Sequence, residues 1–344
     1  MGSELGKVIE SRLDRGKTLG SVVAMEEVHR GMDENREQEG EAGQSEEMRA
    51  QGELVEVDKG SAVAAEIDEL GLGMQLLQLD VKKDESVPFR VYQRRQRTPK
   101  EAGGNLGEAF TPLSPKAKAE VENAMMHSKR KTVLVLHKGS NIEVTGAVIQ
   151  CLQPYSWLND EVINVYMELL KERELRNPEK FLKCHFFNTF FYNKLFKDAQ
   201  SYDYQGVRRW TTRKKLGYSL LECDKILVPI HQDVHWCLAV IDMQRKKLLY
   251  FDSLQGRDSN VLKCLARYIV DEARERTGQN LDVSNWEHVF VDNIPRQLNG
   301  CDCGMFMLKY ADFHSRGGSL NFKQADMDYF RRRTAWEILQ LRAT

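Results

Sequence analysis

The sequence predicts an α+β domain, with helices segregated around a mostly antiparallel sheet, behind a long amino-terminal segment that lacks a core of its own. Three observations predict it. Three β-type runs crowd between Lys225 and Asp252, apolar residues recur at helical spacing on both sides of them, and the composition changes near Thr111. The expected division is therefore 1–110, a disordered region, acidic and then basic, that regulates or targets, followed by a folded domain over 111–344.

From Glu26 to Lys59 the chain is mostly Glu, Gln, Gly and Ala without one aromatic residue, too little apolar surface to offset the entropy of ordering. Ala62 to Lys83 carries more leucine, but Gly71 and Gly73 interrupt any helical stripe, so it reads as a linker or a short partner-binding segment. Arg90, Arg94, Arg95, Arg97 and Lys100 make a basic cluster that suits either a nuclear import signal or a solvated tail.

Past the boundary, Pro112 and Pro115 stand where a helix begins, with Ala117, Val121, Ala124 and Met125 at helical spacing. Val133 to Leu136 reads as a short strand. Asn159 can cap a helix running through Leu175, whose apolar side includes Ile163, Tyr166, Leu169 and Leu170. A further helix is expected near Phe181 to Phe196. Strands follow at Lys225–Ile230, Trp236–Asp242 and Lys247–Asp252, the last two joined by the hairpin-length stretch Met243 to Lys246. Leu262–Arg276 reads as a helix, Val289–Val291 as a strand and Gly304–Phe313 as a helix.

Bulk properties exclude several classes. With 50 basic and 51 acidic residues the net charge is -1, which gives no chain-wide attraction to nucleic acid or anionic membrane. No run of about 18 apolar residues exists and Met1 to Leu19 is charged throughout, so neither a membrane span nor a secretory signal is expected. A nuclear or cytoplasmic monomer is the expectation. Seven cysteines, an odd number without any C-x-x-C pair, argue against a disulfide framework and a structural zinc.

A thiol is a good nucleophile near neutral pH only when its thiolate is stabilised, by an imidazolium or by a helix N-terminus. Cys303 is placed for both, because Asn299 to Asp302 form a flexible approach and Gly304 to Tyr310 a buried-helix pattern. His235 opens the apolar strand that begins at Trp236. Asp252 closes the adjacent one, so hairpin pairing brings the two together although 17 positions separate them. Asp252 would then fix the imidazole tautomer. Gln297, six positions before the cysteine, can offer its amide to a developing oxyanion beside the Cys303 N–H. Taken singly, a core cysteine, a packing histidine and a turn aspartate account for these residues; their order and context join them.

Trp157-Leu158-Asn159-Asp160-Glu161, Phe187 to Phe191, Arg209-Trp210-Thr211, Pro229-Ile230-His231 through His235-Trp236, Phe251-Asp252-Ser253 and Gln297 to Gly304 together resemble the SUMO-specific cysteine proteases, the ubiquitin-like-protein protease and sentrin-specific protease family, its plant members in particular. The similarity spans about Pro112 to Thr344. It implies a papain-like α+β fold and an isopeptidase that matures SUMO precursors and removes SUMO from conjugated proteins, with no metal or organic cofactor. It also implies a narrow tunnel over the substrate's Gly-Gly end, with Trp157 and Trp236 as lid and floor and Phe190 and His231 nearby. Asp160 would pair with a basic residue of SUMO, and Arg209 would hold the substrate tail or surface. Trp210 reads as packing.

Two residues depart from the family pattern. Cys301 brings a second thiol close to Cys303, and Asp233 replaces a small residue, often glycine, before His235. Cys151, Cys184, Cys223, Cys237 and Cys264 have mostly apolar neighbours and read as core. Glu53 to Asp58 resembles a SUMO-interaction strand. Other readings remain open: a protease for another tag such as the Rub/Nedd type, or a catalytically silent SUMO-binding adaptor. A metal module on Cys301, Cys303 and a histidine lacks ligand spacing.

Overall fold

The computed structural model describes residues 110–197 and 201–344. The expectations for the acidic stretch, the leucine-rich segment, the basic cluster and Glu53–Asp58 lie outside the described residues. Numbering only helices of six residues or more and strands of three or more, the order is α1 (Pro115–Ala124), β1 (Val133–His137), β2 (Ile142–Thr145), α2 (Asp160–Arg176), β3 (Cys184–Phe186), α3 (Phe190–Leu195), β4 (Lys225–Gln232), β5 (His235–Asp242), β6 (Lys247–Phe251), α4 (Ser259–Thr277), β7 (Glu287–Phe290), α5 (Cys303–Ser315) and α6 (Met327–Leu339).

The five-stranded sheet has the order β3-β4-β5-β6-β7. Its two central pairings are antiparallel, but β3 joins β4 and β7 joins β6 in parallel, so the sheet is mixed rather than mostly antiparallel. The expectation erred because only the contiguous hairpins are legible locally; the outer strands return through helical crossovers that leave no mark on strand composition. The expected helix over Phe181–Phe196 also divides, into β3 and the shorter α3. Cys184, His185 and Phe186 are all buried, so no face alternation distinguished strand from helix there.

Alternation works well in the central strands. Along β5, Trp236, Leu238 and Val240 face one core with α2, α5 and α6, while Cys237, Ala239 and Ile241 face the other with α3 and α4. Pro229 is tolerated inside β4 because β3 stops pairing at Leu227, leaving the proline's missing donor on an open edge. Beyond that point β4 and β5 continue as a free two-stranded tip, which carries His231 and His235.

Helix α2 begins as expected, with the Asn159 side chain accepting the Val162 N–H at 2.9 Å. Its far end is fixed to α5 by the buried Arg173–Asp312 pair at 2.6 Å, and Arg316 meets the same carboxylate at 2.8 Å. Tyr166 of α2 accepts from Lys309 of α5 and donates to Glu337 of α6, so the three helices share one buried polar network. The direction and position of α5 are thereby set, and with them the place of its first residue.

Candidate active site

Cys303 is the first residue of α5 and is buried. Gly304 lets it come close to the wall: a β-carbon there would stand 2.9 Å from Leu158 Cβ, so a side chain would push α5 away from the loop before α2. The thiol enters a pre-formed setting. His235 opens β5, Asp252 follows β6, and the antiparallel register puts them side by side, with His235 Nε2 2.7 Å from Asp252 Oδ1. The Leu254 N–H donates to the same carboxylate oxygen at 2.7 Å and orients it. With Nε2 engaged, the other ring nitrogen is left for sulfur, and the thiols of Cys237 and Cys303 both act on the charge of the ring.

The electrostatics favour a charged ring. Burial works against the imidazolium, but the hydrogen bond to Asp252, followed by those to Cys237 and Cys303, outweighs it and pushes the His235 pKa up to about 12. Asp252 moves the opposite way: burial disfavours its charge, yet the bond to His235 and the imidazolium field hold the carboxyl below its ordinary range. Burial pushes the Cys237 thiol up, so this sulfur stays protonated at the pair's flank. Nothing in the sequence separates Cys237 from other core cysteines except its spacing: two positions after His235 in a strand is the same face.

Gln297 is buried nearby, its amide fixed at both ends. Ser253 Oγ donates to Oε1 at 2.6 Å, and Nε2 donates to the Asn299 carbonyl at 2.6 Å, which leaves the second amide proton unspent. The N–H of Cys303, at the start of its helix, has no intrahelical acceptor. The Gln297 amide is thus held against the loop that leads to Cys303.

The aromatic residues behave differently from one another. Trp236 is buried and stacks on the partly buried His231 with ring centroids 4.0 Å apart and planes 11° from parallel. Trp157 and Phe190 are exposed, each more than half, which suits surfaces awaiting a ligand better than core. Trp157 is nonetheless anchored, since its indole N–H donates to the Gly300 carbonyl at 3.0 Å, three residues from the thiol. Asp160 is the first residue of α2 and partly exposed, and Arg209 is exposed just after the short helical turn Tyr204–Val207. Among the described residues no hydrogen bond or ion pair links either to His235, Asp252 or Cys303, so any part they take lies at the rim.

Among the described residues, the one set of His, Cys, Asp and Glu ligand atoms close enough for a metal is His235, Cys237 and Asp252, all within 4.8 Å. The 2.7 Å His235–Asp252 bond is a direct hydrogen bond, whereas two ligands about 2.1 Å from a tetrahedral zinc stand roughly 3.4 Å apart. Cys301 and Cys303 do not join a histidine in such a set.

The residues unread in the sequence are those behind the thiol. Asn299 Oδ1 accepts the N–H groups of Cys301 and Asp302 at 3.1 Å each, and the buried Asp302 is gripped by Arg331 from α6 at 2.7 Å. A pair 29 positions apart, with its arginine on a helix that no expectation included, gives no local signal.

The comparisons with known proteins agree with this geometry. Residues 156–343 match the family model described as the Ulp1 protease family, C-terminal catalytic domain. The chain is 53% identical over 270 residues to ubiquitin-like-specific protease ESD4 of Arabidopsis thaliana, covering 78% of this chain and 55% of that protein. It is 41% identical over 229 residues to human sentrin-specific protease 2, covering 66% of this chain and 37% of the other. Among solved structures, the C-terminal Ulp1 protease domain in complex with SMT3, the yeast ortholog of SUMO, superposes with a TM-score of 0.57 at 31% identity, covering 67% of this chain and 96% of that one. The chain spans about half the length of the first two plant relatives it matches, 55% and 47%. By the catalytic-domain match and by these identities, the chain belongs to the Ulp1 protease family.

Proposed function

We propose that this protein is a cysteine protease that cleaves after the C-terminal Gly-Gly of SUMO, maturing SUMO precursors and releasing SUMO from target lysines. One observation carries the reading: a buried thiol at a helix start shares a histidine with a carboxylate 2.7 Å from that ring. The kinship with a domain solved in complex with a SUMO ortholog supports the choice of tag.

In the proposed steps Cys303 is the nucleophile, attacking as the thiolate of an ion pair in which His235 holds the proton and Asp252 supports the imidazolium. Sulfur attacks the glycine carbonyl, and the oxyanion accepts hydrogen bonds from the Gln297 Nε2 and the Cys303 N–H. His235 then protonates the departing amine. A thioester remains, which water hydrolyses with His235 acting as base. Trp157 and Trp236, with Phe190 and His231, would admit a tail of two glycines and exclude side chains, while Asp160 and Arg209 at the rim would read the folded tag. These steps use protein groups alone, and a monomer suffices for them. A nuclear site of action follows if the Arg90–Lys100 cluster is an import signal rather than a solvated tail.

Cleavage of fluorogenic SUMO and Rub/Nedd tags by wild type, Cys301→Ser and Cys303→Ser tests the reading. Cleavage of SUMO that survives Cys301→Ser and is lost in Cys303→Ser is expected. Preference for the Rub/Nedd tag would reassign the substrate, and turnover by Cys303→Ser would reassign the nucleophile.

A further inference from the structure

The loop that delivers Cys303 brings a carboxylate with it. Asp302 immediately precedes the thiol at the N-cap of α5, its side chain almost wholly buried. A negative charge so close to a developing thiolate opposes ionisation, and does so more strongly in a poorly solvated site than in water. Asp302 is also not serving as an ordinary cap, for it makes no side-chain bond to the helix's own N–H groups. Its oxygens point elsewhere. Oδ2 accepts from Asn299 Nδ2 at 2.8 Å and Gln324 Nε2 at 2.6 Å, and Oδ1 accepts from Arg331 Nε at 2.9 Å and Nη2 at 2.7 Å.

Arg331 is as buried as its partner. Beyond Asp302, its Nη1 donates to the carbonyls of Cys151 at 3.1 Å and Gln153 at 2.9 Å, and its Nη2 to those of Ser156 at 2.7 Å and Cys301 at 3.3 Å. These acceptors lie on both the loop leading to Trp157 and the loop leading to Cys303. The two loops are joined a second time by the Trp157 indole on the Gly300 carbonyl. The planar fork of arginine can bring two nitrogens to one carboxylate oxygen and still reach four carbonyls, with one Nη2 proton shared between acceptors. The other titratable groups about the thiol are Cys301 on the same loop and His235, Cys237 and Asp252 at the sheet edge; apart from Arg331, the cationic one is His235.

We propose that Arg331 is a positioning residue for the nucleophile: it cancels the Asp302 charge and locks the Trp157 and Cys303 loops together, so that the start of α5 can carry a thiolate facing His235. The inference rests on the reading of Cys303 as the nucleophile, but not on the identity of the tag. The pair holds the loop from which Cys303 enters α5.

The test follows alkylation of Cys303 by iodoacetamide against pH in the full chain, read as the modified Cys303 peptide by mass spectrometry. Arg331→Gln is expected to slow labelling at pH 7 by roughly tenfold and move the profile to higher pH. Asp302→Asn is expected to move it to lower pH, and the double variant to return within about twofold of wild type. Arg331→Lys, which keeps the charge and loses the fork, is expected to keep the profile while kcat for tag cleavage falls at unchanged KM. Two shifts of the same sign, or a double variant no nearer wild type than Arg331→Gln, would overturn the proposal. Should far-UV circular dichroism show Arg331→Gln unfolded, Asp302→Asn decides: a profile identical to wild type overturns it. Because the probe is a small alkylator, normal labelling shifts without SUMO cleavage would sink the proposed substrate and leave this inference standing.

Discussion

Gly256 lies directly against the Asp252 carboxylate, so closely that a β-carbon at Gly256 would stand 2.4 Å from Asp252 Oδ2. The obstacle is the end of a side chain, which can swing aside, but this one also carries the 2.7 Å bond to His235. Gly256→Ala should therefore leave the fold intact and misplace the carboxylate. Expected is a loss of roughly 10- to 100-fold in kcat with a melting temperature close to wild type, checked by steady-state cleavage and thermal denaturation.

The ion pair of His235 and Asp252 has a pH signature. His235, raised from 6.5 to about 12, contributes stability that is complete below 6.5 and declines as pH rises toward 12. Asp252, lowered from 3.8, contributes stability that is present above 3.8 and lost as pH falls through its depressed value. The gap in melting temperature between wild type and Asp252→Asn should be widest between about pH 4 and 6.5 and narrow on both sides. By NMR, the His235 ring should stay protonated from pH 5 to 9 in wild type and titrate near neutrality in the variant. A gap that widens with rising pH would contradict the assignment.

Trp157 combines an exposed ring with a bond to the Gly300 carbonyl, and substitution can separate the two roles. Trp157→Phe keeps an aromatic ring but frees the loop, so kcat should fall about tenfold with KM little changed; Trp157→Ala should raise KM as well. Equal effects of both variants on KM and kcat would argue against the anchoring role.

Asp233 and Val234 form the two-residue turn between β4 and β5, with Gln232 paired to His235. Only Asp233 has positive φ, 52°, the first central position of such turns, where glycine is favoured. Asp233→Gly should stabilise the domain by about 0.5–1 kcal/mol in urea unfolding. A lower midpoint would show that the aspartate side chain contributes more than its backbone conformation costs.

What the sequence disclosed and what it hid divide along physical lines. His235, Asp252 and the four-residue loop between β5 and β6 were readable because strand alternation and a hairpin are local patterns. Asn159 and Cys303 were readable because a cap residue or a helix break changes composition at a point. The parallel partners β3 and β7, the helix α6 and the Arg331–Asp302 pair were not, since each is defined by a partner far along the chain. Cys237 was seen as core, and it is buried; its contact with His235 depends on a side-chain direction that composition does not encode.

The distances along the chain also set an order of assembly. The acid–base couple belongs to one hairpin and can form as soon as residues 235–252 are free to pair, whereas the thiol arrives from a later helix and its flanking charge is balanced from α6, later still. During synthesis His235 and Asp252 can thus meet before Cys303 and Arg331 have been added. A nascent chain holding every residue through Cys303 but not yet Arg331 would carry the thiol on a loop still missing the arginine that ties it to the segment before Trp157.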